Sequence, residues 1–170
     1  MFTLRSAKKI LADFLLVISV SLTGPLTGNF AFAAEHTVSA VTVKFNPVFL
    51  YIEPGDTVNW ENMVGHNIET IDIMAPEGLE KINTELGANV TATFEMEGII
   101  VYKCTPHWGA RMGGIIVVGK PENPSEIIDN YLATLETNKE NLPAKGLLKK
   151  LRKDMEEKGC LLYTSDAADE

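Results

Sequence analysis

The chain has 170 residues, a mass of 18.6 kDa and 45% hydrophobic residues, which is typical of one globular domain with a short appendage. Its formal net charge of −8 argues against a nucleic-acid-binding protein, because such proteins carry basic surfaces. It has only two cysteines and three histidines, so a zinc site of four thiolates, a multi-disulfide scaffold and any mechanism that needs many imidazoles are excluded.

Residues 1–33 have the pattern of a secretory signal peptide. Basic residues precede an apolar run at positions 14–22, and Ala31-Phe32-Ala33 has the small-x-small pattern of a cleavage site. The apolar run has nine residues, whereas a helix that spans a membrane needs about 20. We therefore predict cleavage after Ala33, export, and no stable membrane insertion of the mature chain.

Residues 34–120 are rich in β-forming runs separated by turn signals, which predicts an antiparallel sandwich or barrel. The predicted strands span residues 38–45, 48–52, 57–61, 66–71, 90–94, 99–102 and 115–118. Residues 53–56 are predicted to form a turn, and residues 80–86 a short helix between strands. Residues 34–119 contain four basic and eleven acidic residues, a net charge of −7.

Residues 121–159 change to helical periodicity and balance their charges, with eight basic and eight acidic residues between positions 120 and 159. Asn123 is a candidate N-cap with Pro124 at the first helical position, and a second helix is predicted after Pro143. We expect these two helices to cover part of the sandwich. The last segment, residues 160–170, resembles the translation of a sequencing-library adapter, and our hypothesis is that it is not native, which leaves Cys104 as the only natural cysteine.

The segment from Cys104 to Met112 carries the chemistry, with the spacing Cys-x2-His-x4-Met between two predicted strands. His66 lies 38 residues before Cys104. One thiolate, two imidazoles and one thioether form the ligand set of a blue-copper electron-transfer site, because thiolate favours Cu(I), imidazole suits both oxidation states, and the thioether is a weak axial ligand. A turn favoured by Pro106 and the following glycine folds the loop back, so that its ligands can meet His66.

These motifs resemble the cupredoxin family of type 1 blue copper proteins, and within it most closely the pseudoazurins. The similarity covers residues 38–119 and includes the segments Glu53–Val58, Gly65–Thr70, Val101–His107 and Gly114–Gly119. The resemblance implies an all-β fold, a Greek-key cupredoxin sandwich with a two-helix C-terminal appendage. It also implies that His66, Cys104, His107 and Met112 bind one copper ion.

The function implied by the resemblance is a periplasmic, monomeric one-electron carrier that is not an enzyme. Its expected partners are redox proteins such as a copper nitrite reductase or a cytochrome, and the net charge of −7 favours a basic partner surface. Electrons are expected to leave through the edge of His107, inside an apolar patch. The candidate patch residues are Pro47, Val48, Pro106 and Trp108.

The resemblance also implies two contacts around the copper. The backbone N–H of Asn67 is expected to donate to the Cys104 sulfur, and the Asn67 side chain to tie to Thr105. If cleavage follows Ala33, the new amine and His36 at the third position could chelate Cu(II), although an incidental histidine at a strand edge is the more ordinary interpretation.

Other functions are weighed against this one. A single cysteine can be a buried free thiol, and a single histidine a structural residue. A zinc site normally has two or more thiolates or added histidines. A copper enzyme subunit would need further histidines, and a copper chaperone or storage protein would need an open, Met-rich or multi-thiol site. Met63 and Met74 are predicted to be core or rim residues.

Overall fold

Two four-stranded β-sheets and two C-terminal helices make up the computed structural model, which describes residues 33–161. The signal-peptide prediction falls on residues outside this range except at its last position, and so does the predicted tail from residue 162 onward. The strands are β1 (Glu35–Val41), β2 (Lys44–Asn46), β3 (Phe49–Ile52), β4 (Asp56–Glu61), β5 (Glu69–Thr70), β6 (Val90–Phe94), β7 (Gly98–Lys103) and β8 (Gly113–Val118). The helices are α1 (Pro124–Thr134) and α2 (Ala144–Glu157).

The strand order is β2-β1-β4-β6 in one sheet and β3-β8-β7-β5 in the other. The β1–β4 and β3–β8 pairs are parallel and the other pairs are antiparallel. The predicted sandwich with two C-terminal helices is therefore confirmed, but the sheets are mixed rather than wholly antiparallel. In each parallel pair the chain between the two strands passes through the other sheet, which is the kind of long crossover connection that parallel strands need.

The two sheets share one hydrophobic core, in which the side chains of β4 alternate between the core and the outside. Trp60 of β4 and Phe45 of β2 both contact the ring of Tyr102 from β7, with centroids 5.6 and 5.1 Å away. Aromatic contacts of this kind across the core fix how the sheets face each other.

Strands β7 and β8 are buried almost without alternation, because α1 and α2 cover their outer face. Ile128 of α1 and Leu148 of α2 are fully buried in this second core. The predicted cover by helices is confirmed, and α1 begins at Pro124 directly after Asn123 as expected. Among residues 33–161, no helix is both long enough and apolar enough to cross a bilayer.

Three local predictions are wrong. The first predicted strand is a hairpin, because Thr42 takes a left-handed backbone conformation with φ of 57° and separates β1 from β2. Most of residues 66–71 is a loop, and only β5 is a strand. Residues 80–86 do not form a helix, because their backbone groups bond across to the β5 segment, as in Thr70 N–H to Ile82 O at 2.8 Å.

Candidate metal centre

Three of the four predicted ligands converge at one end of the sandwich. The Cys104 sulfur lies 3.6 Å from His66 Nδ1 and 3.4 Å from His107 Nδ1. Within the described part of the chain, these residues are the one group of three or more histidine, cysteine or acidic side chains whose ligand atoms all lie within 4.8 Å of one another. These three residues are among the four that the motifs and the resemblance predict as copper ligands.

The spacing of these atoms fits a metal ion. A zinc ion, which prefers similar donors, binds thiolate sulfur at about 2.3 Å and imidazole nitrogen at about 2.0–2.1 Å. In tetrahedral coordination, sulfur and nitrogen on one such ion are therefore roughly 3.5–3.6 Å apart. The observed distances of 3.6 and 3.4 Å need little adjustment to accept an ion. A soft thiolate combined with two imidazoles suits copper.

The ligand loop is closed by its own backbone. Cys104 follows β7, and residues Thr105–Ala110 form a short 3-10 helix with Pro106 in its first turn. The Cys104 N–H donates to Met112 O at 2.9 Å, and the His107 N–H donates to Cys104 O at 3.1 Å. The predicted return of the loop is confirmed, and strands on both sides fix its ends.

Met112 is fully buried in the core that also contains Cys104. Its backbone joins those of Cys104 and His107, so the fold places the fourth predicted ligand beside the other two of its loop. Its role as a copper ligand stays a prediction. Met63 and Met74 are also fully buried, as their assignment to the core predicts.

His66 lies in a loop rather than at the head of a strand. Its N–H donates to Met63 O at 2.8 Å, and its carbonyl accepts from the Gly87 N–H at 2.8 Å. The preceding Gly65 has φ of +78°, a conformation that favours glycine. Burial lowers the pKa of His66, and the nearby His107 lowers it further. Both effects favour the neutral imidazole, which is the form that binds metal.

A polar network ties the His66 segment to the Cys104 segment. The Thr105 N–H donates to Asn67 Oδ1 at 2.8 Å, and Asn67 Nδ2 donates to Thr105 Oγ1 at 3.1 Å. This confirms the predicted contact between the two side chains, whereas the contact from the Asn67 N–H to the Cys104 sulfur stays a prediction. The network continues as Thr105 Oγ1 donates to Glu69 Oε2 at 2.9 Å and Lys103 Nζ pairs with Glu69 Oε1 at 3.0 Å.

Glu69 and Lys103 were not singled out from the sequence. They face each other in the register of β5 and β7. The one signal in the sequence is that Glu69 follows His66 by three residues and the oppositely charged Lys103 directly precedes Cys104. Their pairing could not be inferred, because the register of a two-residue strand has no pattern of its own.

Trp108 is not part of an exposed patch, which corrects that prediction. Its side chain is buried in the second core, and its Nε1 donates to Glu140 O at 3.1 Å in the connection between α1 and α2. A buried indole N–H usually has a hydrogen-bond partner, and the connection between the two helices supplies it here. The C-terminal helical segment therefore contacts the ligand loop directly.

Other apolar side chains are exposed around His66. Val64 precedes the Gly65-His66 pair and is 87% exposed, and Leu86 precedes Gly87 and is 64% exposed. Pro106 is exposed, while Pro47, Val48 and His107 are half-buried. Val64 and Leu86 were missed from the sequence, although an apolar residue inside a polar loop is a usable signal.

Comparison with known proteins agrees with this geometry. The family model of copper binding proteins, the plastocyanin/azurin family, matches residues 32–119. The chain belongs to this family. A pseudoazurin of Paracoccus pantotrophus is 37% identical over 100 residues, covering 54% of this chain and 69% of that protein. A pseudoazurin of Methylorubrum extorquens is 37% identical over 76 residues, covering 44% of this chain and 51% of that protein.

Solved structures give the same result. The crystal structure of pseudoazurin from Methylobacterium extorquens AM1 matches with a TM-score of 0.52 and 31% identity, covering 55% of this chain and 81% of that one. A Sinorhizobium pseudoazurin matches with a TM-score of 0.51 and 33% identity, covering 56% and 81%. The cupredoxin fold and the likeness to pseudoazurins are therefore confirmed.

Proposed function

We propose that this protein is a one-electron carrier that binds a single type 1 copper ion through His66, Cys104, His107 and Met112. The observation that carries the proposal is the cluster of one sulfur and two imidazole nitrogens at 3.4 and 3.6 Å, within a member of a copper-binding family. The bound metal supplies the Cu(II)/Cu(I) couple. The chain supplies the donor set, its geometry and its exclusion of water.

Rigidity of the ligand frame supports electron transfer as the function. Cys104 and Met112 are fully buried, and the loop between them closes through its own backbone. The contact from Asn67 to Thr105 attaches the His66 segment to this loop at 2.8 and 3.1 Å. A frame held at so many points changes little when the charge of the metal changes. Because the ligands move little, the transfer of one electron is fast. The closed ligand loop also offers no open coordination position to a substrate.

Electrons are proposed to leave through His107, the less buried of the two imidazoles. Exposed Pro106, Val64 and Leu86 supply apolar surface near the ligand segments, which suits brief contact with a partner. The net charge of −7 over residues 34–119 favours a redox partner with a basic docking surface. The similarity to pseudoazurins supports a copper nitrite reductase or a cytochrome as the partner, and the carrier is proposed to act as a monomer.

Location and the absence of catalysis are part of the proposal. The pattern of residues 1–33 supports export to the periplasm with cleavage after Ala33. A catalytic copper centre would need further histidines, and the third histidine of the chain, His36, lies beside Asp56 instead. A chaperone or storage function is not favoured, because the buried thiol of Cys104 lies in a closed loop.

Optical spectroscopy of the metal-loaded protein tests the proposal. The exported protein loaded with Cu(II) is expected to show a strong thiolate-to-copper band in the orange-red, with one copper per chain by metal analysis. Ascorbate should bleach the band, and an oxidant should restore it. Cys160→Ser is the matched control and should keep the band, because Cys160 lies at the end of α2, where its Sγ contacts Met155 O. A colourless protein that holds only Cu(I) would contradict the carrier function and support a chaperone.

A further inference from the structure

Asp56 is a carboxylate on the core-facing side of β4, at the opposite end of that strand from the metal ligands. The side chains of Asp56, Val58 and Trp60 alternate inward along β4, and only 5% of Asp56 is exposed. Burial of a charged carboxylate is costly unless hydrogen-bond donors surround it. The proposed copper function makes no use of this group.

Three nitrogen atoms surround the Asp56 carboxylate. The Ala34 backbone nitrogen donates to Oδ1 at 2.7 Å, the Glu53 N–H donates to Oδ2 at 3.0 Å, and His36 Nε2 lies 2.9 Å from Oδ2. Ala34 is held on its other side as well, because its carbonyl accepts from the Thr57 N–H at 2.9 Å. The shortest contact to this carboxylate thus comes from the residue just before β1.

That same residue is the first one after the predicted cleavage site. Ala31-Phe32-Ala33 has the small-x-small pattern, so hydrolysis would break the bond between Ala33 and Ala34. Water adds its oxygen to the Ala33 carbonyl carbon, and the Ala34 nitrogen takes up protons to become an ammonium group. An amide that donates one hydrogen bond becomes a cation with three N–H donors, at a position already 2.7 Å from a carboxylate oxygen.

We propose that Asp56 is a binding site for the amino terminus of the mature chain, so that removal of the leader by an export peptidase creates a partly buried ion pair that the precursor lacks. In the precursor only the acceptor of this hydrogen bond is charged, whereas in the mature chain the attraction between an ammonium and a carboxylate is added to it. The proposal rests on the predicted cleavage and not on the copper site. It links processing to the stability of the fold.

The electrostatics at this end of the sandwich are consistent with an ammonium group. The Ala34 nitrogen is the largest single cause that lowers the pKa of Asp56, followed by His36. Glu53 in the adjoining turn and Glu95 after β6 are exposed carboxylates on the neighbouring segments, and both attract a cation. His36 on β1 is the neighbouring group that carries a positive charge when it is protonated.

The direction of the pH dependence follows from these partners. An α-amino group has an ordinary pKa of about 7.7–8.0. Pairing with Asp56 raises that value in the folded chain, so the extra stability is fully present below about pH 7.7 and is lost as the pH rises through the raised pKa. At acid pH the contribution of Asp56 is lost as the pH falls through its lowered pKa.

A one-residue extension tests the proposal. The exported, processed protein is compared with one that has a glycine inserted between Ala33 and Ala34, which turns the Ala34 nitrogen back into an amide and keeps the net charge. The glycine form is expected to melt about 3–6 °C lower near pH 6.5, and the difference should vanish above about pH 10. The difference should also vanish in Asp56→Asn and persist in Glu53→Gln. Equal melting temperatures for the two forms, or a difference that survives in Asp56→Asn, would overturn the proposal.

Two measurements need no variant of Asp56, so a folding defect there leaves the proposal testable. Mass spectrometry of the exported protein should give a chain that begins at Ala34, and any other start overturns the proposal. The α-amino pKa of the processed wild-type protein, followed by nitrogen-15 NMR, should exceed about 8. An ordinary value would overturn it as well. The thiolate-to-copper band should be the same in the processed and glycine forms, which separates this test from that of the copper function.

Discussion

The two ends of β4 hold buried polar groups of opposite kinds. Beyond its carboxyl end, the Cys104 sulfur lies 3.4 and 3.6 Å from two imidazole nitrogens, and all three atoms can donate an electron pair to a cation. At its amino end, the Asp56 carboxylate is surrounded by nitrogen atoms within 2.7–3.0 Å. A cluster of electron-pair donors can bind a metal cation, whereas a carboxylate surrounded by nitrogen donors already has its hydrogen-bond partners. Composition alone does not separate the two, because both ends contain histidine.

Loss of the thiolate should have the largest effect on the metal end. Cys104→Ser replaces the soft sulfur with a weakly binding hydroxyl, so the thiolate-to-copper band should disappear and copper affinity should fall by orders of magnitude. Titration with Cu(II), followed by absorption and by metal analysis, checks this. Because Cys104 is fully buried, circular dichroism must show that the variant is folded. A band that persists would mean that Cys160 supplies the sulfur.

Exchange of the axial ligand should shift the reduction potential and keep the colour. Met112→Gln offers an oxygen donor, which favours Cu(II) over Cu(I). If that preference is ten- to a hundred-fold, the potential falls by about 60–120 mV, since one tenfold step equals 59 mV for one electron. Redox titration of the band checks the value. Met96→Gln is the control, because Met96 is exposed, and it should leave the potential unchanged. Met63 is fully buried and is therefore unsuitable as a control. An unchanged potential in Met112→Gln would exclude Met112 as a ligand.

The ligand loop was predictable because its chemistry is local, whereas its supports are not. Cys104, His107 and Met112 lie within nine residues, so their spacing alone predicts a common site. The burial of Trp108 depends on Glu140 from a distant connection, and a single sequence has no signal for that contact. The prediction of a helix over residues 80–86 was wrong for the same reason, because the backbone groups of this segment bond to the β5 segment rather than to each other.

The support of the loop by the helices should have an intermediate effect. Trp108→Phe keeps an aromatic ring in the second core and removes the hydrogen bond from Nε1 to Glu140 O, which is 3.1 Å long. The Glu140 carbonyl then loses its donor, so the free energy of unfolding should fall by about 1–2 kcal/mol. Chemical denaturation checks this value. Tyr131→Phe is a matched control, because it removes a 2.9 Å bond to Ile99 O away from the ligand loop. Tyr131→Phe should lower the free energy of unfolding by a similar amount and leave the copper spectrum unchanged, whereas Trp108→Phe should shift the spectrum. A shifted spectrum in both variants would contradict a specific role for Trp108.

The smallest effect is expected from the network that joins the two ligand segments. Thr105→Val keeps the shape of the side chain but removes the hydroxyl that accepts from Asn67 at 3.1 Å and donates to Glu69 at 2.9 Å. Because Thr105 is exposed, the free energy of unfolding should fall by only about 0.5–1 kcal/mol. The reduction potential should still move, since this network orients the segments that carry the ligands. Thr57→Val is the matched control, as it breaks an exposed 2.9 Å contact with Thr93 on β4 and β6, on the side of the sandwich where Asp56 lies. A potential that stays constant in both variants would mean that the contact between Asn67 and Thr105 holds the fold together without tuning the metal.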